Sequence, residues 1–297
     1  FLIDSAAAYA RLRPECRERG YTLMFRRKGE DDLVLLVRAL VKPTVSNKWI
    51  PVLLGVATLA SMMVSYALFW EASEFTWSAI ASNLGKGWGF TLSLLAILVS
   101  HELGHYFTAR HFGVAVTLPY LIPFPLSPFG TMGAMIRMKD IPPSRRSMLL
   151  IGAAGPLAGL VVGIPILLLG LSLSQVSPLP PEGGYSMEGN SLLYLGLKLL
   201  AFGRLLPSRG VDVLLHPVAF AGWAGLLVTS FNLIPAGQLD GGHIAYALLG
   251  SKARYLTWVV MGLLLVLGIW WQGWLLWAGL VFVFSRVSLR PLDDLSP

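Results

Sequence analysis

The stretch that decides the fold is Trp88–Phe112, with the sequence WGFTLSLLAILVSHELGHYFTARHF. Its first half, up to Ser100, carries no charged residue, whereas His101, Glu102 and His105 follow in its second half. A bilayer-spanning helix needs about 20 mostly apolar residues, and an ionisable group at its centre costs about 2.5–3.5 kcal/mol on insertion scales. The stretch is therefore long enough to cross a membrane, and its polar residues require an explanation.

The composition of the whole chain also indicates a membrane protein. Of its 297 residues, 55% are hydrophobic and only 13% are charged, which is about half the charged fraction of a soluble domain. Cys16 is the single cysteine, and this excludes both a disulfide framework and a zinc ribbon built from cysteines. The chain begins at Phe1 without an initiating Met, so we expect it to be an excised or processed piece.

Six apolar stretches are predicted to span the membrane. They are Ile50–Trp70, Trp88–Phe112, Met148–Leu173, Pro217–Pro235, Tyr255–Trp270 and Trp274–Val287. Leu192–Leu206 is also apolar but carries Lys198 and Arg204, so it is predicted to be an interfacial or re-entrant helix. The predicted fold is an all-α polytopic membrane protein with about six transmembrane helices, a membrane-associated β-hairpin and a small α+β N-terminal appendage.

Residues 1–48 are predicted to form that small soluble appendage, followed by the transmembrane domain over residues 49–297. The predicted elements of the appendage are a helix over Ala6–Arg19 and two strands, Tyr21–Phe25 and Leu33–Val37, around a turn at Lys28–Asp32. A unit of this size has little core, so we expect it to lean on the membrane or on the rest of the protein. No aromatic interleaving or binding motif accompanies its arginines, so no nucleic-acid partner is predicted.

The distribution of Lys and Arg over the short loops predicts the orientation. Arg137, Lys139, Arg145 and Arg146 follow the second span, and Lys252 and Arg254 follow the fourth. The loop after the first span contains Glu71, Glu74 and only Lys86. With six spans, both termini lie on the basic, cytoplasm-like side. The connection over 174–216 fits this pattern less well, because it carries Lys198, Arg204 and Arg209.

The polar residues of the second span form the pattern H-E-x-x-H. Because positions i and i+4 share one face of a helix, His101 and His105 can reach one metal ion, and Glu102 can sit beside a water on that ion. Zinc would make this water acidic, and a carboxylate could then take its proton and pass it to a leaving amine. The alternative is a structural role, but three such groups in an apolar helix need dedicated buried partners.

A catalytic zinc ion usually has three protein ligands and a water. The best source of a third ligand is Asn232–His243, with the sequence NLIPAGQLDGGH, in which Pro235 and Gly237 interrupt the fourth span. Its carboxylate, Asp240, is the candidate ligand. The alternative is an ordinary turn with Asp240 as the N-cap of the next helix. Taken alone, the segment favours Asp240 as a helix N-cap. Considered together with His101 and His105, it favours Asp240 as a metal ligand.

The two motifs together resemble the site-2 protease family of intramembrane zinc metalloproteases. The residues that carry the resemblance are His101-Glu-Leu-Gly-His105 and Asn232-x-x-Pro235-x-x-x-Leu239-Asp240-Gly241, and it covers about residues 88–250. The Gly-Gln-Leu-Asp-Gly-Gly-His version, with no inserted PDZ-like domain, is most similar to the cyanobacterial and plastid branch. The resemblance implies regulated intramembrane proteolysis, in which peptide bonds within membrane-spanning substrates are hydrolysed.

The resemblance also implies a role for each matching residue. His101, His105 and Asp240 match the zinc ligands, Glu102 the general base, and Asn232 a residue that positions the substrate or its carbonyl. One Zn²⁺ per active site is expected. The implied partners are transmembrane protein substrates and the lipid bilayer, around a multi-pass enzyme whose active site lies nearer the cytoplasmic or stromal side.

Two further segments fit this chemistry. Pro119–Met138 begins with a proline-rich part and continues with an alternating sequence pattern, which predicts a hairpin or an edge strand. Such a strand could bind an unwound substrate by strand addition. It corresponds to a family hairpin with a Gly-x-x-Gly element, here Gly130 and Gly133, and a proline-rich interfacial loop is the equally weighted alternative. Gly152–Gly159 has small residues at helical spacing and predicts close packing of the third span on the second.

Three histidines lie outside the two zinc-binding positions. His243 is three residues after Asp240, so it could support a metal ligand by hydrogen bonding, or it could be a polar contact within its helix. His111 and His216 lie near span ends and are predicted to be boundary residues.

Three alternative functions also have to be considered for this sequence. The first is an inactive relative that binds membrane proteins, which the intact H-E-L-G-H and L-D-G motifs disfavour. The second is a transporter built on broken helices, which would have matching half-length repeats that this sequence does not show. The third is a membrane zinc protease of the prenylated-protein class, in which a glutamate would be the third ligand.

Overall fold

The computed structural model describes residues 5–28, 31–38, 47, 49–71, 76–179, 187–285 and 291–295. It is mostly helical, with three small antiparallel sheets of two strands each among these residues. The predicted helical architecture is confirmed at this level.

The N-terminal unit consists of α1 (Ser5–Glu18), β1 (Thr22–Lys28) and β2 (Asp31–Val37), and the two strands pair in an antiparallel sheet. Gly29 and Glu30, the centre of the predicted turn, lie outside the described residues. The small core of this unit contains Tyr9, Leu23 and Phe25 and is completed by Leu292 from the far end of the chain. The N-terminal unit therefore packs against the C-terminal segment of the protein.

The helices after the N-terminal unit are α2 (Trp49–Tyr66), α3 (Trp77–Asn83), α4 (Trp88–His111), α5 (Arg145–Ser172), α6 (Leu192–Phe202), α7 (Pro217–Asn232), α8 (Asp240–Leu249), α9 (Ala253–Leu267) and α10 (Gly273–Ser285). The strands are β3 (Tyr120–Pro123), β4 (Thr131–Met135), β5 (Gln175–Pro178) and β6 (Val211–Leu214), paired as β3–β4 and β5–β6. Val287, the predicted end of the last span, lies outside the described residues.

Within the part of the chain that the structure describes, three helical segments are long and apolar enough to cross a membrane, by length and composition: Trp49–Glu71, Arg145–Ser172 and Asp240–Leu267. The predicted fifth span differs most, because α8, a short 3-10 turn and α9 form one helical run that begins at Asp240. Helix α4 is not among the three, since its histidines and glutamate lower its hydropathy. Helices α7 and α10 have 16 and 13 residues, short of the about 20 that a span needs.

Helix α5 begins with a reciprocal cap and packs closely on α4. The Ser144 hydroxyl accepts a hydrogen bond from the backbone N–H of Ser147, and the Ser147 hydroxyl accepts one from the N–H of Ser144. A Cβ at Gly104 of α4 would overlap the Ala154 carbonyl of α5. Close approach through the small residues of Gly152–Gly159 is therefore confirmed, and it brings the α5 backbone beside the histidines of α4.

The segment Pro119–Met138 contains the β3–β4 hairpin, so the hairpin predicted from its sequence is confirmed. Helix α2 and the short π-helical segment Ala67–Glu71 that follows it hold the hairpin turn by three side-chain hydrogen bonds. Ser61 Oγ donates to the Gly130 carbonyl at 2.6 Å, Ser65 Oγ to the Pro125 carbonyl at 2.9 Å, and Trp70 Nε1 to the Pro128 carbonyl at 2.9 Å. Gly130 has a φ of 72°, and a Cβ there would overlap the backbone of α2.

The surroundings of Lys198 show that it should not be counted among the basic loop residues from which the membrane orientation is predicted. Lys198 is fully buried in α6, and its Nζ lies 2.8 Å from Glu188 Oε1 and 3.5 Å from Asp212 Oδ1. It also lies 4.5 Å from the centroid of the Tyr194 ring. Its charge is therefore neutralised within the protein and does not mark a membrane side. At 11 residues, α6 is also too short to span a bilayer.

Candidate metal centre

Helix α4 presents His101 and His105 on one face, with exposed fractions of 4% and 6%. The Nδ1 atom of His105 lies 2.7 Å from the backbone carbonyl of Ile151 on α5. Since a carbonyl only accepts hydrogen bonds, this Nδ1 carries the proton, and the Nε2 of the neutral ring keeps its lone pair. The contact therefore orients the imidazole and leaves Nε2 free to bind a metal.

Asp240 reaches the two histidines from the other side of the site. Its Oδ2 lies 3.0 Å from His101 Nε2, and its Oδ1 lies 3.2 Å from His105 Nε2. It is the first residue of α8, whose N-cap is Leu239, with no side-chain hydrogen bond at the cap. The alternative in which Asp240 caps the helix is therefore wrong, because its carboxylate is directed at the histidines instead of the helix backbone.

The donor atoms of His101, His105 and Asp240 fit a zinc ion. One ligand atom from each residue lies within 4.8 Å of the others, and the two Nε2 atoms are 3.2 Å apart. Ligand atoms around a tetrahedral zinc ion, each about 2.0–2.1 Å from it, are separated by about 3.3 Å. Two imidazole nitrogens and one carboxylate also match the ligand chemistry of catalytic zinc sites, which keep a fourth position open.

A cavity of about 360 Å³ opens beside this cluster. Glu102, His105, Asn232 and Asp240 line it, and the Glu102 side chain is buried next to the backbone of Ile136. Asn232, the last residue of α7, places its Nδ2 atom 3.4 Å from His101 Nε2. All five residues singled out from the sequence are thus brought together, although they come from three helices.

The structure adds residues that the sequence interpretation did not select. The cavity is also lined by Ala134–Met138, which includes the end of β4 and the three residues after it, and by Gln238, two residues before Asp240. The carbonyl of Ile151 was missed because a backbone atom leaves no signal in side-chain chemistry. The alternating sequence pattern of the hairpin could be used to predict β4. The basic side chain of Arg137 indicated only on which side of the membrane its loop lies, and not that it lines the cavity.

The other histidines lie apart from the three-residue cluster. His243 lines the same cavity but is not a member of the cluster. The His216 side chain accepts a hydrogen bond from the backbone N–H of Val218 and caps α7. The His111 ring contacts Phe112 edge-on, with the ring centroids 5.2 Å apart, at the end of α4.

Glycine at position 155 is required by the approach of α5 to the site, because a Cβ there would overlap the His105 imidazole. We expect Gly155→Ala to displace His105 and to lower zinc affinity by about 10–100-fold, the range found when the support of a metal ligand is lost. Zinc bound per chain after dialysis against graded chelator measures this. The matched control is Gly163→Ala on the same helix, where a Cβ would meet Ile97 at an ordinary 3.7 Å. Equal zinc affinity in the two variants would contradict the prediction.

Comparison with known proteins assigns the chain to a family. Residues 89–268 match the model of Peptidase family M50. The chain belongs to peptidase family M50. The predicted resemblance to the site-2 proteases is thereby confirmed.

Two similar curated proteins come from plants. The chain is 34% identical over 206 residues to "Probable zinc metalloprotease EGY2, chloroplastic" of Oryza sativa subsp. indica, covering 67% of this chain and 36% of the relative. It is 35% identical over 205 residues to the protein of the same name in Arabidopsis thaliana, covering 67% of this chain and 35% of the relative. The chain thus spans about a third of the length of these relatives.

Among solved structures, the Site-2 Protease from Methanocaldococcus jannaschii matches with a TM-score of 0.42 and 20% identity. The match covers 79% of this chain and 88% of that protein.

Proposed function

We propose that this chain is an intramembrane zinc metalloprotease that hydrolyses peptide bonds within the transmembrane segments of membrane proteins. The observation that carries the proposal is the convergence of His101, His105 and Asp240 beside Glu102 in one cavity among apolar helices. Membership of peptidase family M50 and the names of the plant relatives, probable zinc metalloproteases, support it.

The zinc ligands in this proposal are His101, His105 and Asp240. A bound zinc ion supplies Lewis-acid chemistry, since it polarises a carbonyl oxygen and makes water acidic enough to lose a proton near neutral pH. The protein keeps this ligand set in place through the Ile151 carbonyl, which fixes the His105 ring, and through the interrupted segment between α7 and α8, which delivers Asp240.

The proton transfers are assigned to Glu102. Its carboxylate is buried at the wall of the cavity, where it can accept a proton from the attacking water and return it to the leaving amine. The amide of Asn232 is placed beside His101, where its N–H can donate to the carbonyl oxygen of the scissile bond as negative charge develops there.

The substrate is proposed to bind along β4 as an added strand. A transmembrane helix hides its peptide groups in internal hydrogen bonds, so a scissile bond becomes accessible only after local unwinding, and the unwound backbone then needs new partners. The chain from Ala134 to Met138 lines the cavity next to Glu102 and Asp240. Backbone groups there can pair with an extended substrate and bring its peptide bond to the catalytic residues.

The membrane topology in this proposal has six spans: α2, α4, α5, α7, the α8–α9 run and α10. Helices α7 and α10 are shorter than an average bilayer core, and in this proposal the bilayer thins locally to match them. Helix α4 tolerates its polar residues because they face protein neighbours and a cavity, and not lipid. The basic residues between α4 and α5 support an orientation in which the histidine end of α4 is nearer the cytoplasmic side, or the stromal side if the chain shares the location of its chloroplastic relatives. Residues 1–48 then form an appendage on that side of a transmembrane domain over 49–297.

The test is cleavage of a model transmembrane peptide by the purified chain in detergent micelles, with the cut site located by mass spectrometry. We expect cleavage within the apolar segment, loss of cleavage with the zinc chelator 1,10-phenanthroline, and recovery after zinc is added back. The non-chelating isomer 1,7-phenanthroline is the matched control. Cleavage that is unaffected by the chelator, or cuts confined to the flanking polar residues, would overturn the proposal.

A further inference from the structure

A cleft separates α1 from the end of the membrane domain where α4 ends and α5 begins. It has a volume of about 640 Å³, within the range of sites that bind small ligands. One wall is formed by α1, through Tyr9, Arg13 and Arg17, and the other by Gly113 and Ser144. The catalytic cavity has none of these lining residues, so the cleft is a separate feature of the protein.

Arg13 and Arg17 give the cleft a concentrated positive charge. They are four residues apart in α1 and therefore lie on one face of the helix. Among the described residues, neither guanidinium forms a salt bridge, and the Arg13 guanidinium lies 6.0 Å from the centroid of the Tyr9 ring. Two unpaired like charges on one wall repel each other, and a bound anion would relieve this repulsion.

The acidic side chains near the cleft do not neutralise the charges of Arg13 and Arg17. Asp293 also lines the cleft, but it is 1% exposed and its Oδ1 accepts a hydrogen bond from the backbone N–H of Leu295. Asp140 lines a small adjoining cavity together with Arg13 and Arg17, but among the described residues it forms no salt bridge with either, and its Oδ1 accepts a hydrogen bond from the N–H of Ile141. Burial raises the pKa of Tyr9 to about 12, so its hydroxyl adds no negative charge at neutral pH.

The position of the cleft points to the source of the anion. Helix α5 has 28 residues, and at about 1.5 Å per residue it is about 42 Å long, close to the thickness of a bilayer with its headgroups. Its N-cap, Ser144, is therefore at the depth of the lipid headgroups when α5 spans the membrane. Arg13 and Arg17 line the same cleft as Ser144, so their guanidinium groups are expected near the headgroups, where phosphodiesters are abundant.

We propose that Arg13 and Arg17 form a binding site for the phosphate group of an anionic phospholipid, at the junction of the N-terminal unit and the membrane domain. The planar guanidinium groups can donate paired hydrogen bonds to phosphate oxygens. The positive end of the α5 helix dipole lies at the opposite wall and adds to the attraction. A lipid bound here fastens the N-terminal unit to the bilayer surface.

The test measures lipid binding to the full chain in nonionic detergent by native mass spectrometry. The probes are phosphatidylglycerol, zwitterionic phosphatidylcholine and inorganic phosphate. We expect selective binding of phosphatidylglycerol to the unmodified chain, about 30-fold weaker binding to the Arg13→Gln, Arg17→Gln double variant, and no competition from millimolar inorganic phosphate. The magnitude follows from about a fivefold contribution per basic residue at an anionic surface.

The matched control is the Arg11→Gln, Arg19→Gln variant, which removes the same charge from exposed residues that do not line the cleft. Thermal unfolding without lipid establishes that both variants are folded. Equal loss of phosphatidylglycerol binding in the two double variants would overturn the proposal, because it would indicate attraction by net charge alone. Displacement of the lipid by inorganic phosphate would also overturn it, because the ligand would then be a free anion.

Discussion

Glu102→Gln is expected to abolish peptide cleavage while zinc remains bound. We expect cleavage of a transmembrane peptide to fall by about 10²–10⁴-fold, the usual contribution of a positioned general acid–base group. The amide of glutamine has nearly the shape of the carboxylate, but it cannot accept the proton of the attacking water. Glu102 is not a member of the three-residue ligand cluster, so the zinc content should stay at about one ion per chain.

The experiment for Glu102 compares cleavage rate and zinc content in the same preparation. Glu71→Gln makes the same chemical change at a residue that pairs with Lys86 at 2.8 Å and lies outside the catalytic cavity, and it should cleave at the unmodified rate. If Glu102→Gln cleaved as fast as the unmodified chain, Glu102 would not be the general base. If it lost its zinc as well, the assignment of Glu102 to proton transfer alone would be wrong.

Asp240→Ala should release the metal. Removing the carboxylate leaves two histidine ligands, and we expect zinc affinity to fall by more than about 100-fold, because even the loss of a group that supports a ligand costs 10–100-fold. Cleavage should be lost with the zinc. The measurement is zinc bound per chain by elemental mass spectrometry, over a series of chelator concentrations that set the free zinc level.

Two comparison variants make the Asp240 result specific. Asp240→Asn keeps one carbonyl oxygen near the histidines and should bind zinc with intermediate affinity, because a neutral oxygen attracts the ion less strongly than a carboxylate. Asp31→Ala removes an exposed carboxylate on β2 and should bind zinc like the unmodified chain. Unchanged zinc affinity in Asp240→Ala would place the third ligand elsewhere in the protein.

The helix boundaries show what could be predicted from local sequence. Trp88–Phe112 and Met148–Leu173 were predicted as spans, and the structure has helices over Trp88–His111 and Arg145–Ser172. The two helices are confirmed, because a long apolar run satisfies its backbone hydrogen bonds within one helix. The number of spans is harder to predict from local sequence. Helix α4 carries the polar residues of the site, and these residues lower the hydropathy on which span prediction depends.

Lys198 shows where local sequence misleads. A lysine in an apolar helix was interpreted as an interfacial residue, and the structure buries it between Glu188 and Asp212. These carboxylates lie 10 and 14 residues away along the chain. Pairing at such separations depends on how α6 and β6 pack together, and no helical or strand periodicity encodes that packing.

The sequence alone determined that the protein is a helical membrane protein with two histidines and a glutamate on its second predicted span. Composition and i,i+4 spacing are sufficient for this, because both act within a single helix. Only the tertiary structure decided that Asp240, 139 residues from His101, is directed at the histidines and does not cap its helix. The physical reason is that this contact depends on the packing of α8 and α5 against α4, where Gly155 leaves room for His105 and the Ile151 carbonyl orients it.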